Sequence, residues 1–441
     1  MGKQLDIIVC GAGLAGLGAA IALRRKGHHV TVIESASELT EIGAGIQIPP
    51  NSSRILISWG LEEKFLEKVV LPSRMQMRRY STGEVLGLQE LNPFMSDTYG
   101  YPYWLIHRAD YQKILYDEAK KLRAQFCLGC HVESVDEHGP TVNLEDGRRL
   151  NADLVVGADG IRSKIRKSIL KGKDPGAEDS PNCAYRATVP AIVMDRDPTL
   201  AALMSDPNGN MWAGPGGHVV GYPIKNATLY NLVMSQPGKA SVGKWNEPGD
   251  VHEMRKMHEN WDLTLRKILN NVDRCVKWKL AYIPPLETWV SESGKVVVIG
   301  DAAHGMLPYM AQGAAVSIED AAALAETVSR AQSKDDLPHL LRTFETIRKP
   351  RCEEISKGTH INADAWHLFD GPEQEKRDEA RKAKMRRTLE KDKQAAATSA
   401  GGGLGDRWSD EARMPELFGY DAVKEMNNFL DRVMSSEVAH L

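Results

Sequence analysis

The sequence predicts an α/β protein with three parts: a parallel βαβ unit at the amino end, an inserted antiparallel sheet and a carboxyl-terminal helical segment. Residues 5–34 carry the first part, because two apolar, strand-like runs enclose a glycine-rich turn and a helix. Residues 184–235 alternate between apolar and polar positions and are rich in turn residues, which is typical of antiparallel strands. Two segments with helical periodicity follow, at 314–331 and 337–368.

The glycine-rich turn predicts a Rossmann-like dinucleotide-binding domain. It reads GAGLAG and includes Gly11, Gly13, Ala15 and Gly16. The first glycine permits the tight turn, the second lets a pyrophosphate approach the backbone, and the third allows the helix to pack closely on the strand. Glu34 ends the second strand, near the spacing of about 20 residues from which an acidic side chain binds the ribose hydroxyls. A free ribose at this site favours FAD or NAD over NADP.

Bulk properties limit the classes of function. The 441 residues are 42% hydrophobic and 26% charged, and the formal net charge is −3. These values are typical of a globular protein with about two domains and give no sign of a nucleic-acid partner. The sequence shows neither a signal-peptide pattern nor an apolar run of membrane-spanning length, so we expect a cytoplasmic protein without a membrane partner.

The cysteines predict neither disulfides nor a metal site. Six cysteines in a chain of this length do not form the dense pattern of a disulfide framework. Cys127 and Cys130 have CxxC spacing, but no second pair accompanies them, so a metal or redox role is not favoured. A reduced set of thiols agrees with the expected cytoplasmic setting.

The predicted domains are interleaved along the chain. We assign 1–72, 102–180 and 278–370 to the dinucleotide-binding domain, 73–101 and 181–277 to the substrate domain, and 371–441 to a charged, helical tail. Within the tail, residues 376–405 combine a dense charge run with a glycine cluster. We expect this segment to be mobile or a lone charged helix, and catalysis not to depend on it.

Three short motifs elsewhere extend the candidate nucleotide site. Ala44 and Gly45 belong to a second glycine cluster, and Asp159 and Asp301 each follow an apolar strand, within GADG and GDAAH. Open α/β sheets place ligand-binding groups at the carboxyl ends of their strands, which is where these aspartates stand. An acidic turn residue without function would explain either aspartate alone. The motifs together favour a cofactor site.

These motifs resemble those of the single-component flavoprotein aromatic hydroxylases, which include the salicylate, 3-hydroxybenzoate and 4-hydroxybenzoate hydroxylases. The resemblance covers residues 5–368 and includes HR-x-D-Y at 107–111 and GDAAHGMLPYMAQGAAVSIEDA at 300–321. A simple NAD dehydrogenase does not need the second of these elements. The resemblance therefore implies FAD at the amino-terminal motif, with NAD(P)H as the reducing cosubstrate.

The resemblance also implies roles for individual residues. Asp301 would bind the ribityl chain, and the backbone at Gly313 and Ala314 would lie against the flavin ring. Arg108 would contact the flavin nucleotide. Asp159 belongs to a segment that is linked in the family to both FAD and the reduced nicotinamide.

The antiparallel region supplies the candidate substrate residues. His218 stands where similar hydroxylases bring a histidine to the substrate phenol, and its imidazole could take the phenolic proton. Tyr222 would share its strand face, and Arg186 matches a position that anchors substrate in related fungal enzymes. A structural histidine and a surface ion pair remain the alternatives for His218 and Arg186. Met306 and Pro308 are further substrate-binding candidates; Pro308 replaces a glutamine typical of 3-hydroxybenzoate 6-hydroxylases, which favours salicylate-like substrates.

The reaction implied by the resemblance is hydroxylation of a phenolic acid. NAD(P)H reduces the flavin, O2 adds to give a flavin hydroperoxide, and an electron-rich ring carbon next to the phenol attacks it. On salicylate this attack would release CO2 and leave a catechol. The alternatives are 3-hydroxybenzoate, a larger fungal aromatic, an epoxidase acting on a polycycle, and a flavin-binding protein without turnover. A homodimer is possible but is not predicted by any pattern in the sequence.

Overall fold

The computed structural model describes residues 3–39, 44–393, 410 and 412–438. It confirms the predicted fold class, because a five-stranded parallel sheet stands beside a separate eight-stranded, mostly antiparallel sheet, and the carboxyl end is helical. Residues 394–405 of the predicted mobile segment lie outside the described residues.

The strands build four sheets. In chain order they are β1 (Asp6–Cys10), β2 (His29–Glu34), β3 (Gly45–Ile48), β4 (Arg74–Arg79), β5 (Val85–Glu90), β6 (Trp104–His107), β7 (Gln125–Leu128), β8 (Val132–Asp136), β9 (Thr141–Leu144), β10 (Arg149–Asn151), β11 (Leu154–Gly157), β12 (Glu178–Pro190), β13 (Gly209–Gly214), β14 (Gly217–Ile224), β15 (Leu229–Pro237), β16 (Asn246–Gly249), β17 (Cys275–Tyr282) and β18 (Val296–Val298). The two large sheets have the orders β18-β11-β1-β2-β7 and β16-β17-β12-β15-β14-β13-β4-β5. The small ones are β10-β9-β8 and β3-β6.

The helices cover both large sheets. In chain order they are α1 (Leu14–Arg25), α2 (Pro50–Ser58), α3 (Glu62–Leu66), α4 (Phe94–Tyr99), α5 (Arg108–Lys121), α6 (Lys164–Leu170), α7 (Ala191–Met194), α8 (Pro198–Ser205), α9 (Val251–Met257), α10 (Leu263–Asn270), α11 (Asp301–His304), α12 (Gly313–Val328), α13 (Leu337–Trp366), α14 (Pro372–Lys393), α15 (Met414–Phe418) and α16 (Ala422–Val438). None of the helices in the described part of the chain has both the length and the apolar composition needed to cross a bilayer.

The parallel sheet brings the predicted nucleotide motifs to one edge. Its strands pair in parallel throughout, and β1 lies between β2 and β11. The apolar residues of β1 are buried on both faces, as expected for a central parallel strand. Because parallel strands end at the same edge, the turn after β1, the loop after β11 and the start of α11 after β18 lie side by side.

The antiparallel sheet supplies the opposite wall. Strands β12, β15, β14 and β13 pair antiparallel, and His218 on β14 lies opposite Ser235 on β15. Strand β4 pairs with β13 in parallel, so the segment at 73–101 contributes to this sheet although it comes much earlier in the chain. Helices α7 and α8 interrupt the region at 184–235, which the sequence predicts as strands only. Helix α8 begins at Pro198, where the Asp197 carboxylate caps it by accepting from the Thr199 N–H.

The described part of the segment at 376–405 is helical, as one of the two predicted alternatives has it, but it is not a lone helix. Helix α14 packs against β5. The Arg377 guanidinium donates to the Ala365 carbonyl oxygen at 2.8 Å, and Lys382 pairs with Glu84 of the loop before β5 at 2.8 Å. The prediction of a lone helix is therefore wrong, because several charges that suggest a solvated surface bind partners on the body of the protein.

Candidate active site

A large cavity separates the carboxyl edge of the parallel sheet from the antiparallel sheet. It encloses about 1440 Å³ including its mouth. Most of the site residues predicted from the sequence line it together: Gly13, Ala15, Gly45, Arg108, Arg186, His218, Tyr222, Asp301, Met306, Pro308, Gly313 and Ala314. Residues far apart in the chain thus form one candidate site, which we call the cofactor cavity.

The three glycines of the first turn differ in what surrounds them. A Cβ at Gly11, where φ is +107°, would lie 2.3 Å from the Ala158 carbonyl oxygen, and a Cβ at Gly16 would lie 1.9 Å from the Gly11 oxygen. These two positions therefore require glycine for the packing of the protein itself. A Cβ at Gly13 would meet nothing within 4 Å. Gly13 borders the cofactor cavity, so this opening leaves room for a ligand.

Two helices begin at this cavity without side-chain caps. Gly13 is the N-cap of α1, Gln312 is the N-cap of α12, and neither helix start receives a side-chain hydrogen bond. The first backbone N–H groups of both helices therefore face a region suited to anionic or polar ligand groups. A pyrophosphate at the first helix and the polar edge of a ring system at the second would fit, so the residues present suit a flavin dinucleotide.

Five predicted cofactor residues do not line the cavity: Gly11, Gly16, Glu34, Ala44 and Asp159. Both oxygens of the Glu34 carboxylate are engaged, one by the Ala12 N–H at 2.7 Å and the other by the Ala36 N–H at 2.8 Å. This carboxylate thus holds the glycine turn in the structure. The Ala44 carbonyl oxygen accepts from the Arg108 N–H at 3.0 Å and so positions a residue that does line the cavity.

Asp159 serves the helix that follows it. Its carboxylate accepts hydrogen bonds from the Ser163 hydroxyl and from the Lys164 N–H, the latter at 2.7 Å, at the start of α6. Burial raises the pKa of Asp159 above its usual range, although these hydrogen bonds favour the ionised form. Its neighbour Gly160, and not the carboxylate, reaches the cofactor cavity.

A buried network of charges supports the loop that carries Asp301. The Arg348 guanidinium pairs with Glu319 at 2.8 Å and with Asp320 at 2.9 Å, and all three side chains are fully buried. Asp320 also accepts from the Gly300 N–H at 3.1 Å and pairs with His304 at 2.6 Å. Arg348 on α13 thus stabilises the start of α11, where Asp301 lines the cavity.

The same network explains a group of potential metal ligands. Atoms of His304, Asp320 and Cys352 lie within 4.8 Å of one another. Burial alone would lower the pKa of His304, but Cys352 and Asp320 raise it well above its usual value. A charged imidazole beside the Arg348 guanidinium makes this group an ion-pair network that disfavours a bound cation.

A second cavity of about 770 Å³ opens on the first; we call it the substrate cavity. Six residues lie between the two cavities and line both of them: Gln47, His218, Val220, Pro308, Tyr309 and Ala311. The remaining walls of the substrate cavity are mostly apolar and are rich in methionine, a flexible side chain that adapts to irregular ligands. This arrangement is suited to an aromatic substrate whose reacting end meets the cofactor.

His218 stands at the junction of the two cavities and is bound to a second histidine. Its Nδ1 lies 2.7 Å from Nε2 of His367, and the two rings stack with centroids 5.0 Å apart. Tyr309 and Trp366 pack edge-on against the His218 ring. Burial and the neighbouring His367 lower the pKa of His218 well below its usual value, and burial lowers the pKa of His367 to about 4. Both imidazoles are therefore neutral near pH 7.

The other predicted substrate residues lie on the cofactor side. Tyr222 is buried, and burial raises its pKa far above the usual value, so the phenol stays protonated. The Arg186 guanidinium lies over the Trp278 ring, 5.4 Å from its centroid, and Arg186 lines the cofactor cavity. Met306 lines the cofactor cavity, and Pro308 lines both cavities.

Several residues of the site are not among those predicted from the sequence. Gln47 of β3 and Tyr309 of the GDAAH-containing motif line both cavities. His367 follows the end of α13 and lines the neighbouring surface cavity, in contact with His218. Alternating methionines at 75 and 77 on β4 indicate only one face of a strand. From α14 come Arg381, Lys384 and Met385, which the prediction of a lone helix placed away from the site.

Comparison with known proteins identifies the family of this chain. A family model described as an FAD binding domain matches residues 4–359. The FAD-dependent monooxygenase OpS4 of Beauveria bassiana (strain ARSEF 2860) is 36% identical over 423 residues, which cover 96% of each chain. The 3-hydroxybenzoate 6-hydroxylase 1 of Aquipseudomonas alcaligenes is 34% identical over 371 residues, which cover 83% of this chain and 91% of the relative.

A solved structure has the same fold. A salicylate hydroxylase in a substrate complex superposes with a TM-score of 0.76 and 24% identity, and the match covers 97% of this chain and 98% of that one. At this identity the likeness establishes the fold alone.

Proposed function

We propose, from the premise that the chain belongs to the FAD-binding family of FAD-dependent aromatic monooxygenases, that it hydroxylates a phenolic aromatic acid with O2 and NAD(P)H. Salicylate is our preferred substrate, with release of CO2 and formation of a catechol. One observation supports the proposal above the others: a buried, neutral imidazole at His218 stands where the two cavities meet. Pro308 at the same junction favours salicylate over 3-hydroxybenzoate.

The residues of the cofactor cavity would hold the flavin. The Gly13 backbone and the start of α1 suit the pyrophosphate, Asp301 suits the ribityl hydroxyls, and Arg108 suits the nucleotide. When bound, FAD supplies the redox chemistry with NAD(P)H and O2. The protein would bind and orient the aromatic ring and exclude water from it, since the walls of the substrate cavity are mostly apolar.

His218 is the group that can accept the phenolic proton. Its Nδ1 contacts His367, so Nε2 is the ring nitrogen left to accept the phenolic proton of the substrate. In the tautomer of His218 that carries its proton on Nδ1, Nε2 takes the phenolic proton and Nδ1 passes its own to Nε2 of His367. His367 also lines an open surface cavity with Asp364 and Asp370, where the proton can reach solvent. Deprotonation enriches the ring carbon next to the phenol, which is the position to be hydroxylated.

A panel of phenols tests this function. We expect salicylate to stimulate NADH oxidation by the FAD-loaded protein and to give catechol and CO2, because the phenol and the carboxyl-bearing carbon are adjacent. The measurement follows NADH, O2 and aromatic products across salicylate, 3-hydroxybenzoate and benzoate. Hydroxylation of benzoate, which has no phenol, to the same extent as of salicylate would contradict a phenolate mechanism. If none of the three compounds binds to the protein or stimulates its oxidation of NADH, the proposed substrate class is wrong.

A larger aromatic substrate is the second candidate. The methionine-rich lining of the substrate cavity favours it, because methionine side chains accommodate varied apolar shapes. A fungal aromatic with an extended apolar body would then replace salicylate, while the phenol would still lie at His218. Extending the panel to two-ring and three-ring phenolic acids distinguishes the candidates by the ratio of kcat to KM.

Gly13→Val should abolish FAD binding without unfolding the protein. A side chain at this position meets no protein atom within 4 Å, but it enters the space that the pyrophosphate needs. We expect the thermal unfolding midpoint of the flavin-free protein to stay within about 1 °C of the parent, the shift that about 1 kcal/mol gives in a chain of this size. The measurement pairs that midpoint with titration by FAD.

Gly16→Val is the matched comparison and should fail to fold, since its Cβ would overlap the Gly11 oxygen. Normal FAD affinity in Gly13→Val would contradict the assignment.

A further inference from the structure

We infer that α14 forms an acid-binding wall of the substrate cavity, in which Arg381 and Lys384 bind the anionic group of an aromatic acid whose phenol lies at His218. The inference rests on the proposed function for the position of the phenol. It adds the place where the acid group of that substrate binds, which is the side of the cavity formed by α14. It also assigns a binding role to a segment that lies beyond the FAD binding domain match, which ends at residue 359.

The first support is the position of three α14 side chains. Arg381, Lys384 and Met385 all line the substrate cavity. They are three and four residues apart, so they share one face of the helix. The Arg381 Cβ lies 3.7 Å from where a Cβ of Gly87 on β5 would stand, so the helix approaches the strand closely at this point. Arg381 is buried, which places its guanidinium in the interior and not on the surface.

The second support is that α14 is fixed in place. Arg377 donates to the carbonyl oxygens of Ala365 and Trp366 at the end of α13, at 2.8 and 3.4 Å. Asp378 is buried and lies 3.7 Å from Arg79 of β4. The cavity face of the helix is thereby held at both the α13 side and the sheet side. A wall that is already positioned loses little freedom when it binds a ligand.

The third support is the charge of the cavity lining. Among the described residues that line the substrate cavity, Arg381 and Lys384 carry positive charges and none is an aspartate or glutamate. The other wall residues are apolar or neutral, and five are methionines: Met75, Met77, Met211, Met310 and Met385. An apolar environment strengthens the attraction between a cation and an anion. This lining therefore suits a ligand with an apolar body and one acidic group.

The test compares an acid with its neutral amide. Arg381→Met and Lys384→Met remove one charge each and keep an apolar stem, while Arg386→Met removes an exposed charge from the same helix as a control. Dissociation constants are measured by tryptophan fluorescence, since Trp366 lines the cavity, with salicylate and salicylamide. KM is measured with the same pair. We expect each cavity variant to weaken salicylate binding about 10- to 100-fold, the range for a lost charge-assisted hydrogen bond, and salicylamide binding about twofold or less.

A conservative variant of Arg381 and a variant of Arg186, the other candidate for binding the acid group, make the test more specific. Arg381→Lys keeps the charge and should recover part of the preference for the acid. Lys384 is only partly buried, so Lys384→Met remains informative if Arg381→Met does not fold. Unchanged preference for the acid in both Met variants, or its loss in Arg186→Met instead, would overturn the inference. A parent that binds salicylate no better than salicylamide would also overturn it.

The two proposals fail separately. If the parent prefers the acid, the α14 variants lose that preference, and no phenol is hydroxylated, the proposed function is wrong and the acid-binding wall stands. If phenols are hydroxylated and the α14 variants bind acid and amide as the parent does, the wall is wrong and the proposed function stands.

Discussion

Replacing His218 with alanine is expected to lower the hydroxylation rate by at least about 100-fold, the lower end of the range for a well-placed general base. FAD binding and its reduction by NAD(P)H should persist, because the glycine turn and Asp301, which we propose to hold FAD, belong to other segments. Without removal of the phenolic proton the ring is a poor nucleophile, so the reducing power should appear as hydrogen peroxide. The measurement follows NADH consumed, peroxide formed and hydroxylated product together.

The pH dependence gives this prediction a second readout. Burial and His367 lower the pKa of His218, so its imidazole should stay neutral, and able to accept a proton, when the pH falls through its usual value. We therefore expect the acid limb of the hydroxylation profile of the parent to lie well below pH 6.5. Tyr222→Phe is the comparison and should have a smaller effect, since the Tyr222 phenol stays protonated and we propose for it only a positioning role. If His218→Ala couples NADH to product as well as the parent at every pH, His218 is structural.

Arg348→Met is expected to lower the free energy of unfolding by about 3–5 kcal/mol, the usual cost of removing one partner from a buried ion pair. The change removes the cation that lies 2.8 and 2.9 Å from the buried carboxylates of Glu319 and Asp320 and leaves them Arg351 and His304 as charged partners. Chemical denaturation of the FAD-free protein measures the effect. FAD affinity should also fall, because Asp320 holds the Gly300 N–H next to Asp301.

Lys349→Met is the matched control for this change. Lys349 is the next residue of α13, and it pairs with Glu353 at 3.2 Å on a partly exposed face. An i,i+4 pair of this kind contributes about 0.3–0.5 kcal/mol. Similar losses in the two variants would show that the buried network does not hold the loop as described.

The fold and the cofactor side of the site could be predicted because their signals are local. The three glycines of the first turn are tied to a strand and a helix within one short stretch, so their spacing reports the geometry directly. Asp301 follows an apolar strand, and parallel strands end at the same edge. Position did not reveal what each carboxylate does: Asp159 looks like Asp301 in the sequence, yet it caps α6.

The substrate side could be predicted only in part, because its contacts join distant segments. His367 is 149 positions from His218, and nothing near it in the chain indicates that the two rings meet. The α14 segment was misleading for a physical reason. Its charged composition is typical of a solvated helix, but Arg377 and Lys382 have partners that only the folded body provides.

The position of α14 in the chain bears on how such an enzyme can diversify. The FAD binding domain match ends at residue 359, whereas Arg381, Lys384 and Met385 come later and still line the substrate cavity. Substitutions in this helix can therefore alter what the cavity accepts while the glycine turn and the Arg348 network remain untouched. One part of the substrate-cavity wall is thus encoded after the family match, so recombination at a junction beyond residue 359 could exchange that part and leave the rest of the cavity unchanged.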